Sequence, residues 1–297
     1  MERTINGITK ILFYISLFFL QVVSAQNRIN SDTLNTILFK ITSSKNNNVS
    51  YLFGTHHAFG KSFFDSLTNA NLALKSCELM IKENLNIPGH LAENIINNRS
   101  TQTKWHKYLK KEDLTFVQSL FTFSPTDFNK MTPTEIYVFL NRYFKQQICL
   151  AKDLTDNSLS LDDYIEQKVI DKNIKLIGLE TTEEQIELIN KDVEGMPRKN
   201  HKRRLSNIIG KIRTKDDNDC IETDWYNQME IDYQLNEPCK NALMLTDRNN
   251  RWIEIIKEKL ESNNCFIVVG LSHLMYKCGL INQLKELGYT ITPVEVK

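Results

Sequence analysis

Tyr51-Leu52-Phe53-Gly54-Thr55-His56-His57 decides how this chain is read, because the same frame returns at Phe266-Ile267-Val268-Val269-Gly270-Leu271-Ser272-His273. Each is an apolar run closed by Gly-x-x-His. Such a run reads as a strand leaving a sheet, and in open α/β sheets ligands gather outside the carboxyl ends of the strands. One copy alone is an ordinary strand-end turn, where Gly and His are common. Two copies in the same context, with carboxylates at similar strand ends between them, read as two halves of one site.

The segments around these frames alternate between helix and strand. Residues 36–42 and 50–53 read as strands joined by the polar turn 43–48, a hairpin pattern. Leu67, Ala70, Leu72 and Leu74 have helical spacing within 65–75, and 77–83 reads as the next strand. From about 91 to 150 the periodicity is helical, with Ser124-Pro125 and Thr132-Pro133 as helix starts, where proline's missing N–H does no harm. Residues 161–171 form an amphipathic helix leading into a strand at 174–180, after which Thr181 or Thr182 caps another helix. The stretch from 191 to about 234 is charged and lacks strand signals. A long helix over 243–262 carries Arg248, and a strand at 265–269, a helix at 281–287 and a strand at 289–296 close the chain. The expectation is an α/β fold, a central mixed sheet flanked by helices with a largely helical insertion. It is a single domain over 26–297, with insertions at about 90–160 and 190–245.

The chain has 297 residues, 41% hydrophobic and 25% charged, enough to bury a core. Arg3 and Lys10 precede an apolar run at 11–23, and Val23-Ser24-Ala25 offers the small residues a signal peptidase needs. Residues 1–25 therefore read as a secretory signal peptide cut near Ala25, and the protein as secreted or periplasmic. An uncleaved N-terminal anchor is the alternative. The run falls short of the ~20 residues a membrane span needs, and no later segment approaches that length. Without residues 1–25 the formal net charge is zero, so nucleic-acid binding has no global electrostatic footprint. The basic run at 198–204 is offset by Asp216, Asp217 and Asp219 and reads as a solvated helix face or loop. Six cysteines, none in a Cys-x-x-Cys pair, could form disulfides in an oxidising compartment. Cys220–Cys239 is the expected bridge: it lies in the least patterned stretch, and closing a loop of ~20 residues contributes about 3 kcal/mol. Cys77, Cys149, Cys265 and Cys278 are expected to be buried as small apolar residues.

Imidazole and carboxylate groups at strand ends, here His57, Glu83, Glu180 and His273, can hold zinc, manganese, cobalt or iron and make a bound water nucleophilic. A metal-free arrangement is also open, with a carboxylate as base, a histidine as acid and Arg248 stabilising an oxyanion. The plain alternatives are a solvated acid at Glu83, a cap at Glu180 and a structural ion pair at Arg248. His56 points to the opposite side from His57 if the backbone stays extended, which makes it a secondary candidate beside Thr55. Gly-Leu-Ser-His is not a nucleophile elbow, so no serine-led triad is indicated.

The chain resembles the TraB/GumN family, whose eukaryotic relatives include the Tiki membrane metalloproteases. The resemblance rests on Phe53-Gly54-Thr55-His56-His57, Glu83, Leu161-Asp162-Asp163-Tyr164, Gly178-Leu179-Glu180-Thr181-Thr182-Glu183-Glu184-Gln185, Asp247-Arg248-Asn249 with Trp252, and Val268 through Leu274. It implies an α/β domain with a helical insert and metal-dependent peptide hydrolysis centred on the two Gly-x-x-His motifs and a glutamate. Tyr276 stands where the family commonly has a small residue, which bears on the substrate. The resulting expectation is an exported, metallopeptidase-like hydrolase acting on a peptide or other small amide or ester substrate. His57, His273 and Glu83 would hold a divalent manganese, cobalt or zinc, while Glu83, Glu180 and Arg248 serve as catalytic groups. Its rivals are a periplasmic protein that binds a peptide or signal molecule without catalysis, and a metal-free esterase.

Overall fold

A computed structural model describes residues 33–152, 159–170, 172 and 174–297. The expected signal peptide lies outside the described residues. Residues 34–297 form one compact unit.

Its centre is a six-stranded sheet of β1 (Leu38–Thr42), β2 (Val49–Thr55), β3 (Leu79–Lys82), β4 (Lys175–Gly178), β5 (Cys265–Gly270) and β6 (Thr290–Val294). The spatial order is β4-β3-β5-β2-β1-β6. β1 is antiparallel to both β2 and β6, so the expected hairpin forms, with Leu38 opposite Phe53. The other pairings are parallel. β5 is central because Cys265 through Val269 are apolar and buried without interruption, as a parallel strand covered on both faces requires. Four parallel strands thus end along one edge, at Gly178, Lys82, Gly270 and Thr55, and each is followed within three residues by a candidate group. The mixed sheet and its helices are the α/β class expected from the sequence.

Eleven α-helices lie among the described residues. They are α1 (Lys61–Asp65), α2 (Thr68–Lys75), α3 (Ala92–Asn97), α4 (Lys111–Leu120), α5 (Pro133–Phe144), α6 (Leu161–Ile170), α7 (Thr182–Lys191), α8 (Arg198–Thr214), α9 (Ile221–Gln228), α10 (Asp247–Ser262) and α11 (Leu280–Glu286). Thr132 caps α5 and Pro133 opens it, as expected. Ser124-Pro125 differs: it sits in a bend after α4, and the next helical turn is a short 3₁₀ segment at Phe128–Lys130. α10 buries Arg248, Asn249, Trp252, Ile253, Ile256 and Leu260, an i, i+4 stripe turned to the sheet. The basic run at 198–204 opens α8, where Lys199, Lys202 and Arg203 are exposed.

Two hydrophobic cores result. One surrounds the sheet and includes Phe53, Ile81, Leu161, Trp252 and Val268. The other joins the two helical stretches through Trp105, Phe128, Leu140, Leu205 and Ile209. This division corrects the expected disulfide: Cys220 belongs to the second core, whereas Cys239 packs against the first. Cys220 is bonded instead to Cys149, with Cα atoms 5.3 Å apart, and Cys239 to Cys278, at 6.0 Å. Cys77 and Cys265 remain buried thiols, as expected. No helix of the described residues is long and apolar enough to cross a membrane.

Candidate functional site

Side chains alternate along β3, so Lys82 and Glu83 part company at its end. Lys82 turns to α6, where its ammonium meets Asp163 at 2.8 Å and Glu166 at 2.7 Å. Glu83 turns to β5 and α10. Its Oε1 accepts the Gly270 N–H at 2.7 Å, and its Oε2 accepts from Arg248 Nη2 at 2.8 Å and Gln185 Nε2 at 3.2 Å. A Cβ at Gly270 would lie 3.1 Å from Glu83 Oε1, so the missing side chain is what lets the carboxylate approach this backbone. The carbonyl of Glu83 accepts the N–H groups of Leu179 and Glu180, which seats the end of β4 beside it.

Arg248 is the hub. Glu180 grips it at two points, accepting from Nε at 3.1 Å and Nη2 at 2.5 Å. Nη1 donates to His273 Nε2 at 2.9 Å, and its other contact is Met244 O at 3.4 Å. Arg248 therefore has four of its five N–H groups in short bonds and a long one for the fifth. His273 is held from both sides: because Nε2 accepts, Nδ1 carries the proton and donates to Asn249 Oδ1 at 2.7 Å. The Asn249 amide in turn donates to the carbonyls of His273, at 3.2 Å, and Cys278, at 2.9 Å. Trp252 covers the imidazole, with ring centroids 4.3 Å apart.

Burial pushes His273 down to about 4, with Arg248 adding to the effect and Glu83 opposing it, so this ring is neutral near pH 7. For Glu83, burial favours the protonated form, but His273, Arg248, His57 and the Gly270 N–H outweigh it and hold the carboxyl below its ordinary value. With His273 neutral, the buried cation there is Arg248. Two carboxylates share its guanidinium, and a second, more exposed one, Arg251, lies 3.8 Å from Glu180.

His57 stands outside this network. Its Nδ1 lies 2.6 Å from Asp162 Oδ2 on α6, and Thr55 donates its hydroxyl to Asp162 Oδ1 at 2.5 Å. Asp162 is buried, while the His57 side chain is 60% exposed, and no hydrogen bond reaches His57 Nε2 among the described residues. Asp162 raises His57 to about 9, against a smaller pull from desolvation, with its hydrogen bond and Glu83 adding to the rise. Solvent screens part of that attraction at so exposed a ring. The charge of His57 acts in turn on Glu83 and His273.

The two Gly-x-x-His frames are thus out of step. Gly54 pairs with Val269 and Thr55 with Gly270, a shift of one residue, and β5 passes at once into the 3₁₀ turn Leu271–His273. His273 is driven inward to 3% exposure, while His57 stays at the surface. Equal roles for the pair, expected from the matched frames, do not follow from this geometry. His56 does point away from His57, into a buried cluster with Phe59 and Tyr226, each 5.4 Å away. Its Nδ1 accepts the Ala58 N–H, and its Nε2 faces Glu222 at 3.6 Å without a hydrogen bond.

Glu83, Glu180, Arg248 and His273 are therefore joined by direct bonds, whereas Thr55 and His57 meet on Asp162. Sequence reasoning passed over Asp162, Asn249 and Gln185 as site residues. Asp162 looks like any acid in a first helical turn, and Asn249 like a polar neighbour of Arg248. A cleft of about 510 Å³ opens beside Glu180, lined by Leu85, Ile87, Leu179 and the start of α7.

The expected metal ligands meet a specific obstacle. Arg248 Nη1 sits on the His273 lone pair that a metal would need, and both Glu83 oxygens are engaged by Gly270, Arg248 and Gln185. Among the described residues no three His, Cys, Asp or Glu side chains are grouped to hold an ion. As they stand, the donors do not fit a metal.

Fold and site together define an α/β protein with two unlike histidines and a glutamate–arginine cluster at the carboxyl edge of a parallel sheet. Residues 37–293 match the TraB/PrgY/gumN family, and the chain belongs to it. No curated protein and no solved structure gives a significant match.

Proposed function

We propose that the protein hydrolyses an amide or ester bond with its own side chains, His57 being the group that moves protons. The observation that carries this is the Asp162–His57 pair, buried at the carboxylate and open at Nε2. Asp162 holds the imidazole in one tautomer and stabilises the imidazolium formed when the neutral ring takes a proton from water. The same proton is then available to the leaving amine or alcohol. The cluster around Arg248, with nearly every donor satisfied, positions Glu83 and sets the local charge; a satisfied buried cluster is otherwise an ordinary structural feature.

A second reading, hydrolysis assisted by manganese, cobalt or zinc, requires Arg248 to leave His273 Nε2, and one observation favours it: both histidines have Nδ1 engaged, by Asp162 and Asn249, as ligands oriented by outer partners do. Export through residues 1–25 belongs to the proposal as well, and N-terminal sequencing of protein recovered from outside the cytoplasm tests it.

The functional test is turnover of quenched-peptide and ester libraries after exhaustive chelation, for wild type and His57→Gln. The expected result is turnover that survives chelation and falls by about 10²-fold or more in the variant. Loss on chelation with recovery on adding metal would establish the second reading. Equal turnover in His57→Gln would refute both, and turnover of no probe under any metal would favour a non-catalytic binding protein.

A further inference from the structure

The cleft beside Glu180 has walls of two kinds. Leu85, Ile87 and Leu179 give it an apolar side, and Ile87 is 50% exposed. Glu180, Glu183 and Glu184 give it carboxylates, and no lysine or arginine lines it among the described residues. Its volume of about 510 Å³ falls within the range of sites that hold small molecules. Acids in a first helical turn ordinarily serve only the helix.

The apolar wall separates this place from that default, since capping a helix calls for no exposed isoleucine. The cap itself is complete: the Thr181 hydroxyl accepts the Glu184 N–H at 3.1 Å, and Glu184 Oε2 accepts the Thr181 N–H at 2.7 Å. Glu184 Oε1 is left without a hydrogen bond among the described residues, with Arg251 4.0 Å away. His90 engages Oε1 of Glu183 at 2.8 Å, yet the Glu183 and Glu184 side chains stay 44% and 46% exposed. An anion would meet carboxylates and N–H groups already engaged. A bare hydrocarbon would fit the apolar wall and gain nothing from the acids. A lysine or arginine side chain uses both, its methylene stem on the wall and its charged end at the carboxylates.

The cleft follows the end of β4 and His57 follows the end of β2, three strand spacings away along the same sheet edge. At ~4.8 Å per spacing that is about 14 Å, which an extended peptide covers in about four residues. We propose that the cleft seats a lysine or arginine side chain of a peptide substrate, about four residues from the bond on which His57 acts. This rests on the hydrolase reading above and adds a sequence preference to it. Ile87 and Glu183 are then specificity residues, with no part in moving protons.

The test uses the full chain and blocked alanine–serine peptides whose one central residue is lysine, norleucine or glutamate. Binding is measured by titration calorimetry, and cuts are mapped separately by mass. Wild type is expected to bind the lysine peptide about 5-fold or more tightly than norleucine, and glutamate least tightly, with the lysine advantage shrinking in salt. Glu183→Gln combined with Glu184→Gln, which keeps the helix cap, is expected to remove that advantage with the fold intact by circular dichroism. Ile87→Ser is expected to weaken the lysine and norleucine peptides alike. Norleucine bound as tightly as lysine by the wild type, binding of no peptide, no weakening in Ile87→Ser, or a lysine advantage that survives the double variant overturns the proposal. Any cut is expected about four residues from the lysine. Cuts that ignore the lysine, or adjoin it, overturn the proposal and leave the hydrolase reading standing. A lysine advantage lost in the double variant without a cut in any peptide supports the cleft and counts against hydrolysis.

Discussion

His57 and His273 occupy the same place in two matched sequence frames and end in opposite states, one open and held by a carboxylate, the other buried and held by an arginine and an amide. The frames made both positions legible. Their difference was not, because the one-residue shift between β2 and β5 and the residues Asp162 and Asn249 come from distant parts of the chain. His273 also makes a prediction. Its folded value of about 4 lies below the ordinary 6.5, so between those values the unfolded chain binds the proton more readily. The resulting stability is complete above about pH 6.5 and is lost as pH falls toward 4. Urea unfolding across pH 7.5 to 4.5 should show this decline, and His273→Gln should flatten it; the same slope in both proteins would remove His273 as its source. His56 is likewise a packing residue, so its substitution is expected to cost stability more than an exposed neighbour would.

Among the elements, α6 connects the two sides of the site. Asp162 holds His57 at the end of β2, while Asp163 and Glu166 hold Lys82 at the end of β3. Lys82 is 3% exposed and its ammonium is the partner of both acids, so removing it strands buried negative charge. Lys82→Met should lose about 3 kcal/mol or more in denaturant unfolding. A loss below about 0.5 kcal/mol would mean the pairing is a solvated one. The inner strands were readable because β2, β3 and β5 carry apolar runs that end beside a polar group. Helix boundaries were less so. The helix expected over 65–75 is two, α1 and α2, broken at Ser66-Leu67, and Ser124-Pro125 makes a bend because the chain there must turn back under Phe128 and Trp105. The helix cap at Thr181, by contrast, forms as read, its hydroxyl accepting the Glu184 N–H.

For the whole molecule, the alternation of helix and strand was enough for the α/β class, and the family match extends over 37–293. How the two helical stretches pack was not readable, since Leu140 and Leu205 meet only in the folded chain. The same blindness misplaced the disulfide. Cys220 and Cys239 are near in sequence but belong to different cores, and the actual bridges tie Cys149 to Cys220 within one and Cys239 to Cys278 beside the other. The first core also brings α9 to the site, where Tyr226 donates its hydroxyl to the Gly54 carbonyl at 2.9 Å, under the first histidine turn. A protein in which sheet edge, α6 and α9 converge on one open imidazole should show that imidazole in its kinetics. The pH dependence of kcat/KM, compared between wild type and Asp162→Asn, tests this most directly. Wild-type activity should rise with pH as His57 loses its proton, reaching half its maximum near 9, and the rising limb should move down toward 6.5 in the variant, where the carboxylate no longer holds the proton. Rising limbs that coincide in the two proteins would contradict the account.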